Sequence, residues 1–177
     1  VPDLARDSLI PQPAQVMSLI GRFGIGHACP VDDHIMTAAH VAVKMGRDYG
    51  QYPMSYVYQQ GPLTGLLGPS LDHPPSMYAD LAWLDVTLGD TPIYNRRAQD
   101  VSIGDKIYWF EYDKSLHKEK VSSKVVQIIA GHIATKRPFA SGASGGCIFN
   151  EANEVVGIPV WRLGVGVGVL LTEKWSW

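Results

Sequence analysis

Short apolar runs rich in Val, Ile, Tyr and Trp recur along the chain between Gly, Pro and Asp punctuation, a rhythm that predicts many short strands rather than helices. In the first half the candidate strands are Val16 to Ile20, Phe23 to Cys29, His34 to Thr37, Met54 to Gln59 and Leu81 to Val86. A charged stretch, Asn95 to Asp100, follows. The second set comprises Lys106 to Tyr112, Val121 to Ala130, His132 to Thr135, Gly146 to Phe149, Val155 to Trp161 and Val165 to Leu171. Two groups of about six strands, each too small for a sandwich of its own, predict an all-β fold of two six-stranded antiparallel barrels. The expected division is a first barrel over 1–95, a linker over 96–104 and a second barrel over 105–177. The segment Gln60 to Tyr78, with Gly, Pro and His throughout, reads as the longest irregular loop. No repeat at a fixed period, heptad pattern or low-complexity tract interrupts this reading.

Composition narrows the class. With 177 residues, 46% hydrophobic and 18% charged, the chain can bury one sizeable core or two small ones sharing an interface. Fifteen basic residues against seventeen acidic ones give a net charge of -2, which speaks against binding by phosphate neutralisation, so nucleic acid is not the expected partner. No apolar stretch approaches the ~20 residues needed to cross a bilayer, so no membrane segment is expected, and Val1 to Gln15 lacks the apolar core of a signal peptide. Two cysteines, Cys29 and Cys147, exclude a disulfide-dense framework and leave room for one bridge; the preferred reading is two free thiols in a reducing intracellular compartment.

Three segments carry candidate chemistry. Gly142-Ala143-Ser144-Gly145-Gly146 places a single hydroxyl in a loop of small residues. Alone it reads as a tight turn, but such a loop also lets backbone amides converge on an oxyanion beside a nucleophile. Ile35-Met36-Thr37-Ala38-Ala39-His40-Val41 is an apolar strand ending in an imidazole, and a lone His is usually structural. Tyr78-Ala79-Asp80-Leu81-Ala82-Trp83-Leu84 sets a carboxylate at a strand entrance, where Asp is often a turn residue. Each signal is modest, but their joint occurrence in the order His, Asp, Ser on a two-barrel β chain is specific.

These segments resemble the three signature segments of trypsin-like serine peptidases of the chymotrypsin fold. The likeness runs from about Gly21 to Thr172 and takes in Glu154 to Trp161 and Gly166 to Val169, which are similar to the strands lining the family's substrate pocket. It implies a site in the cleft between the barrels, peptide or protein substrates, an acyl-enzyme intermediate and no cofactor or metal. Ser144 would attack the scissile carbonyl, His40 would carry the proton, and Asp80 would hold the imidazole tautomer. The amides of Gly142 and Ser144 would form the oxyanion hole. Asp85 is the close rival for the acid; residues five apart on a strand face opposite ways, and the Asp-Leu-Ala match selects Asp80 over Asp85, Asp72 and Asp90.

The chain also departs from the family. Ala143 stands where secreted trypsin-like enzymes carry the Asp that pairs with a new N-terminal amine, so activation by that ion pair is not available and Val1 has no catalytic role. Lack of the family's disulfides and of the activation ion pair resembles both proteases cut from viral polyproteins and bacterial HtrA-like enzymes; with no appended PDZ segment in the sequence, the expectation is the viral kind, working in the cytoplasm of an infected host cell. By position, Pro138, Phe139 and Ala140 before the loop and Val160, Trp161 and Arg162 after it should surround the side chain N-terminal to the cut. With no Asp in the first group, a medium apolar residue is the default preference there, with an acidic residue the alternative through Arg162.

Other readings weigh less. His27, Cys29, His34 and His40 fit no closed zinc frame, and His27 and His34 read as surface or loop residues. Cys147 reads as a buried inert thiol pointing away from the oxyanion loop. Gly164 to Gly168 leaves too little chain for a dinucleotide fold. The competing class is a catalytically silent protease fold serving as a binding or scaffold module.

Overall fold

The protein is described by a computed structural model over residues 17–21, 24–32, 34–42, 55–58, 61–64, 80–84, 96–112, 118–162 and 164–176. Strands β1 (Met17–Gly21), β2 (Gly24–Val31), β3 (His34–Ala38), β4 (Ser55–Tyr58), β5 (Gly61–Thr64) and β6 (Leu81–Trp83) form one sheet in the order β5-β4-β1-β2-β3-β6. Strands β7 (Lys106–Tyr112), β8 (Lys118–Ile129), β9 (His132–Thr135), β10 (Ile148–Asn150), β11 (Val155–Arg162) and β12 (Gly166–Leu170) close into an antiparallel barrel. Pairing of Phe149 with Tyr108 and of Asn150 with Ile107 seals it. The expected all-β architecture is present with one closed barrel. The first half is a six-stranded sheet whose end strands, β5 and β6, do not pair with each other among the described residues.

Strand alternation explains how the two halves share their interior. Along β7, Ile107 and Trp109 point into the barrel with Val121, Val125, Ile133, Ile148 and Val156, while Tyr108 and Phe110 point the other way. That outer face, with Phe149, Val155, Ile158 and Val160, packs against Ala28, Met36, Ala38 and Leu81 of the first sheet. Burying one such large apolar side chain stabilises the fold by roughly 1.5–3 kcal/mol, so the contact between the halves is a core rather than a loose interface.

A loop was expected over Gln60 to Tyr78, but its start is strand β5; residues 65–78 lie outside the described ones. Among the described residues β5 pairs with β4 alone and ends the sheet, a position where the missing N–H of Pro62 is tolerated. The cysteines also correct the sequence reading. Cys29 on β2 and Cys147 ahead of β10 form a disulfide, with Cα atoms 5.0 Å apart and 118 residues between them in sequence. Both are buried where the halves meet, so the apolar setting read as housing inert thiols instead brings the sulfurs together. The ground for a reducing compartment goes with the free thiols.

The 96–104 segment is tied to the barrel and the first sheet at once. Val155 N donates to Arg96 O and Ala98 N to Val155 O, each at 3.0 Å. Arg97 ion-pairs with Asp32 beyond β2 and donates through Nη1 to the Thr172 and Trp175 carbonyls. No helix among the described residues is long and apolar enough to cross a membrane.

Tyr108 sits under the Lys120 ammonium, stacks on Phe149 and donates its hydroxyl to Asn153 Oδ1. Burial pushes its hydroxyl up from 10.0 to about 12. The folded chain therefore keeps this proton after the unfolded chain has lost it, and stability falls as pH rises from 10.0 towards about 12. Urea midpoints measured across that window should drop more steeply in the parent than in Tyr108→Phe. Equal slopes would refute the assignment.

Candidate active site

Strand register brings two of the candidate residues together. β3 pairs with β6 as Met36 with Trp83, Thr37 with Ala82 and Ala38 with Leu81, and the ladder continues with Ala39 N donating to Asp80 O at 2.8 Å. The chain then enters a helical turn over 39–42 that turns the His40 ring back over Asp80. Asp80 Oδ1 accepts the His40 backbone N–H at 2.9 Å, and Oδ2 accepts from His40 Nδ1 at 2.7 Å. The carboxylate side chain is 5% exposed and the imidazole 40%. Because a carboxylate accepts, Nδ1 carries the proton, and in the neutral ring Nε2 is the nitrogen with the lone pair. Asp80 holds this geometry with φ +54°, a left-handed conformation that Asp adopts more readily than most residues.

Ser144 lies on the loop before β10, half-buried, with its carbonyl accepting His27 N at 3.1 Å. A side chain at Gly26 would meet Val41 at 3.0 Å and the Ser144 carbonyl at 3.7 Å, so the residue after His40 and the serine backbone approach the same glycine. Gly145, at φ +88°, allows the loop to press still closer: a Cβ there would lie 2.2 Å from His27 O and from Thr37 Oγ1. Ser144 and His40 share no hydrogen bond among the described residues.

The amides of this loop fall into two groups. Ala143 N donates to Ala140 O, Gly145 N to Pro159 O and Gly146 N to Ala143 O. The amides of Gly142 and Ser144 have no acceptor among the described residues. Gly142 adopts φ +92°, which a residue with a side chain would resist. An oxyanion is stabilised by N–H donors of this kind, and one of the two is the serine's own.

The six residues expected around the substrate side chain do not share one surface. Phe139 is 3% exposed inside the barrel, edge-on to Trp109 at 4.7 Å, because it fills the space beside β9 and β12. Val160 is 2% exposed in the core between the halves. Pro138 and Ala140 are half-buried. Trp161, exposed and stacked on His132 at 5.7 Å, and Arg162 stand at the open end of β11.

Three residues of this region make contacts that the sequence did not assign to them. His27, expected at the surface or in a loop, is fully buried on β2 and bonds Gly142 O through Nδ1 at 2.7 Å. Thr37 Oγ1 donates to His27 O at 2.7 Å. Glu111 on β7 is buried, and its Oε2 accepts Trp109 Nε1 at 2.9 Å and Ala140 N at 2.8 Å, anchoring the start of the serine loop. Only the neighbouring Cys29 hinted that the β2 segment is interior. His34 is half-buried at the start of β3, with Nδ1 donating to Asp32 O at 2.7 Å. Asp72, Asp85 and Asp90 lie outside the described residues.

The architecture is the one shared by serine endoproteases of the chymotrypsin and HtrA type. A serine endoprotease from Yersinia pestis superposes with a TM-score of 0.71 at 18% identity over 93% of this chain. The chain spans 61% of the length of that structure. The Rv3671c protease of M. tuberculosis in its inactive form gives a TM-score of 0.68 at 15% identity, over 96% of this chain and 90% of that one. A serine-to-alanine mutant of Rv3671c, also inactive, gives 0.69 at 16% identity, over 96% and 88%. No family model and no curated protein matches the sequence.

Proposed function

We propose that the chain is a serine endopeptidase with His40, Asp80 and Ser144 as its triad and the amides of Gly142 and Ser144 as its oxyanion hole. The observation that carries the reading is the buried Asp80 carboxylate gripping both the backbone and the ring of His40, on a fold shared with serine endoproteases. Ser144 Oγ bonds to the scissile carbonyl carbon while its proton passes to His40 Nε2. The carbonyl oxygen takes the electron pair and is met by the two free amides. As the C–N bond breaks, His40 returns the proton to the leaving amine, and water repeats the sequence on the acyl-enzyme.

The proposal includes two barrels, over 1–95 and 105–177 with a linker at 96–104, and a substrate cleft between them. It further assigns the side chain N-terminal to the cut to the neighbourhood of Pro138, Phe139, Ala140, Val160, Trp161 and Arg162. Because Phe139 and Val160 face cores, Trp161 and Arg162 are the members best placed to touch substrate. Substrates are peptides or proteins. A viral polyprotein is the narrower expectation; the Cys29–Cys147 bridge removes part of its ground, the scarcity of disulfides, and the proposal stops at peptide or protein substrates.

The missing Ser144–His40 hydrogen bond favours a second reading, a silent protease fold that binds rather than cuts. Incubation with a denatured proteome and mass-spectrometric mapping of new termini separates the two. New termini that vanish with Ser144→Ala support the peptidase, whereas no cleavage by the folded parent supports the silent module.

A further inference from the structure

Ala143 leaves the serine loop without the ion pair that the resemblance assigns to zymogen-type enzymes, which poses the question of what holds the loop with two amides unengaged among the described residues. The contacts around the loop come largely from one strand. On β2, His27 Nδ1 lies 2.7 Å from Gly142 O, and His27 N donates to Ser144 O at 3.1 Å. Two residues on, Cys29 is bonded to Cys147. A carbonyl only accepts, so Nδ1 carries the proton.

The consequence for the loop is geometric. The Gly142–Ala143 peptide is pinned at both ends, its carbonyl by the imidazole and its N–H by Ala140 O. With that peptide plane fixed and the Ser144 carbonyl tied to His27 N, the backbone on either side of the Gly142 and Ser144 amides is held, and neither amide has an acceptor among the described residues. The imidazole is itself held. It is fully buried and stacks on Tyr112 with ring centroids 4.7 Å apart, while Thr37 Oγ1 ties its carbonyl at 2.7 Å. A buried hydrogen bond between such groups fixes orientation more than it adds stability.

We propose that His27 is a positioning residue for the oxyanion hole, acting through its Nδ1–H on the Gly142 carbonyl and never touching substrate. This inference rests on the peptidase reading. Its test compares two variants on a peptide substrate. His27→Phe keeps a ring against Tyr112 but has no donor, whereas His27→Asn loses the ring but keeps an N–H near the position of Nδ1. Removing the contribution of oxyanion donors costs about 10²–10³ in turnover, so His27→Phe should lose on the order of 10²-fold in kcat with KM nearly unchanged.

His27→Asn should restore at least about a tenth of parental kcat, the tenfold gap between the two variants being the rescue expected if the donor dominates. A peptide boronic acid, which forms a tetrahedral adduct, should lose affinity for His27→Phe in parallel with kcat, while a cleaved product peptide should not. Circular dichroism and thermal melts establish folding. A folded His27→Phe with parental kcat, or a His27→Asn that loses as much as His27→Phe, overturns the proposal. If His27→Phe does not fold, the Asn variant decides alone: kcat above a tenth of the parent supports the clamp, and lower kcat overturns it. A folded parent that neither cleaves nor binds the boronic acid instead overturns the peptidase reading, a different result from any of these, and this inference falls with it.

Discussion

Asp80→Asn is expected to lower turnover by about 10⁴-fold while the chain still folds. The two carboxylate oxygens accept two different His40 donors, the backbone N–H at 2.9 Å and Nδ1 at 2.7 Å. An amide offers one acceptor and one NH₂. If its oxygen keeps the backbone bond, its NH₂ faces Nδ1 and drives the imidazole proton to Nε2, where no lone pair is left for the Ser144 proton. If it turns over, NH₂ meets the backbone N–H and the buried turn loses a bond worth roughly 1–3 kcal/mol. Steady-state kinetics with a melt for each protein check this. A folded Asp80→Asn with kcat within tenfold of the parent would remove Asp80 from the mechanism.

The second large effect lies in stability. The Cys29–Cys147 bond closes a loop over a sequence separation of 118 residues, and the chain-entropy estimate for a loop of that size is about 5 kcal/mol. Removing both sulfurs as Cys29→Ala/Cys147→Ala should therefore destabilise the chain by about 3–5 kcal/mol, the upper part of the range for native bridges. For a chain of this length that lowers Tm by on the order of 10–15 °C. The bond also lies three residues beyond Ser144 and two beyond His27, so the reduced protein should lose activity at temperatures below its melt. Thermal scans with and without a thiol reductant are the check, and coincident melts would contradict the account.

The second half of the chain was the more legible in sequence, for a physical reason. β7 runs over Lys106–Tyr112 and β9 over His132–Thr135, at the bounds that apolar runs and Gly-rich turns predict, because these strands are bounded by breakers and paired on both sides in a closed barrel. β5 was hidden, since Gly61 and Pro62 signal a loop and only edge placement admits them. In the candidate site, the meeting of His40 and Asp80 is legible because both stand at the ends of recognisable strands that pair in register.

What held the serine loop was not legible. His27 and Cys29 belong to a strand buried on both faces from Gly26 to Val31, so no alternation marks them as inward-facing. Their partners, Gly142 and Cys147, are more than a hundred residues away and meet them only after the two halves dock. The pocket residues fail for a related reason: positions taken from the chain order around Ser144 do not reveal that Phe139 and Val160 turn into two different cores.

Labelling with a fluorophosphonate probe tests the central claim most directly, because the probe reacts only with a serine activated by a neighbouring base and an oxyanion site. The account predicts stoichiometric labelling of the folded parent at Ser144, none in Ser144→Ala and a large loss in Asp80→Asn. A folded, oxidised parent that takes up no probe, or labelling that survives Ser144→Ala, would contradict it.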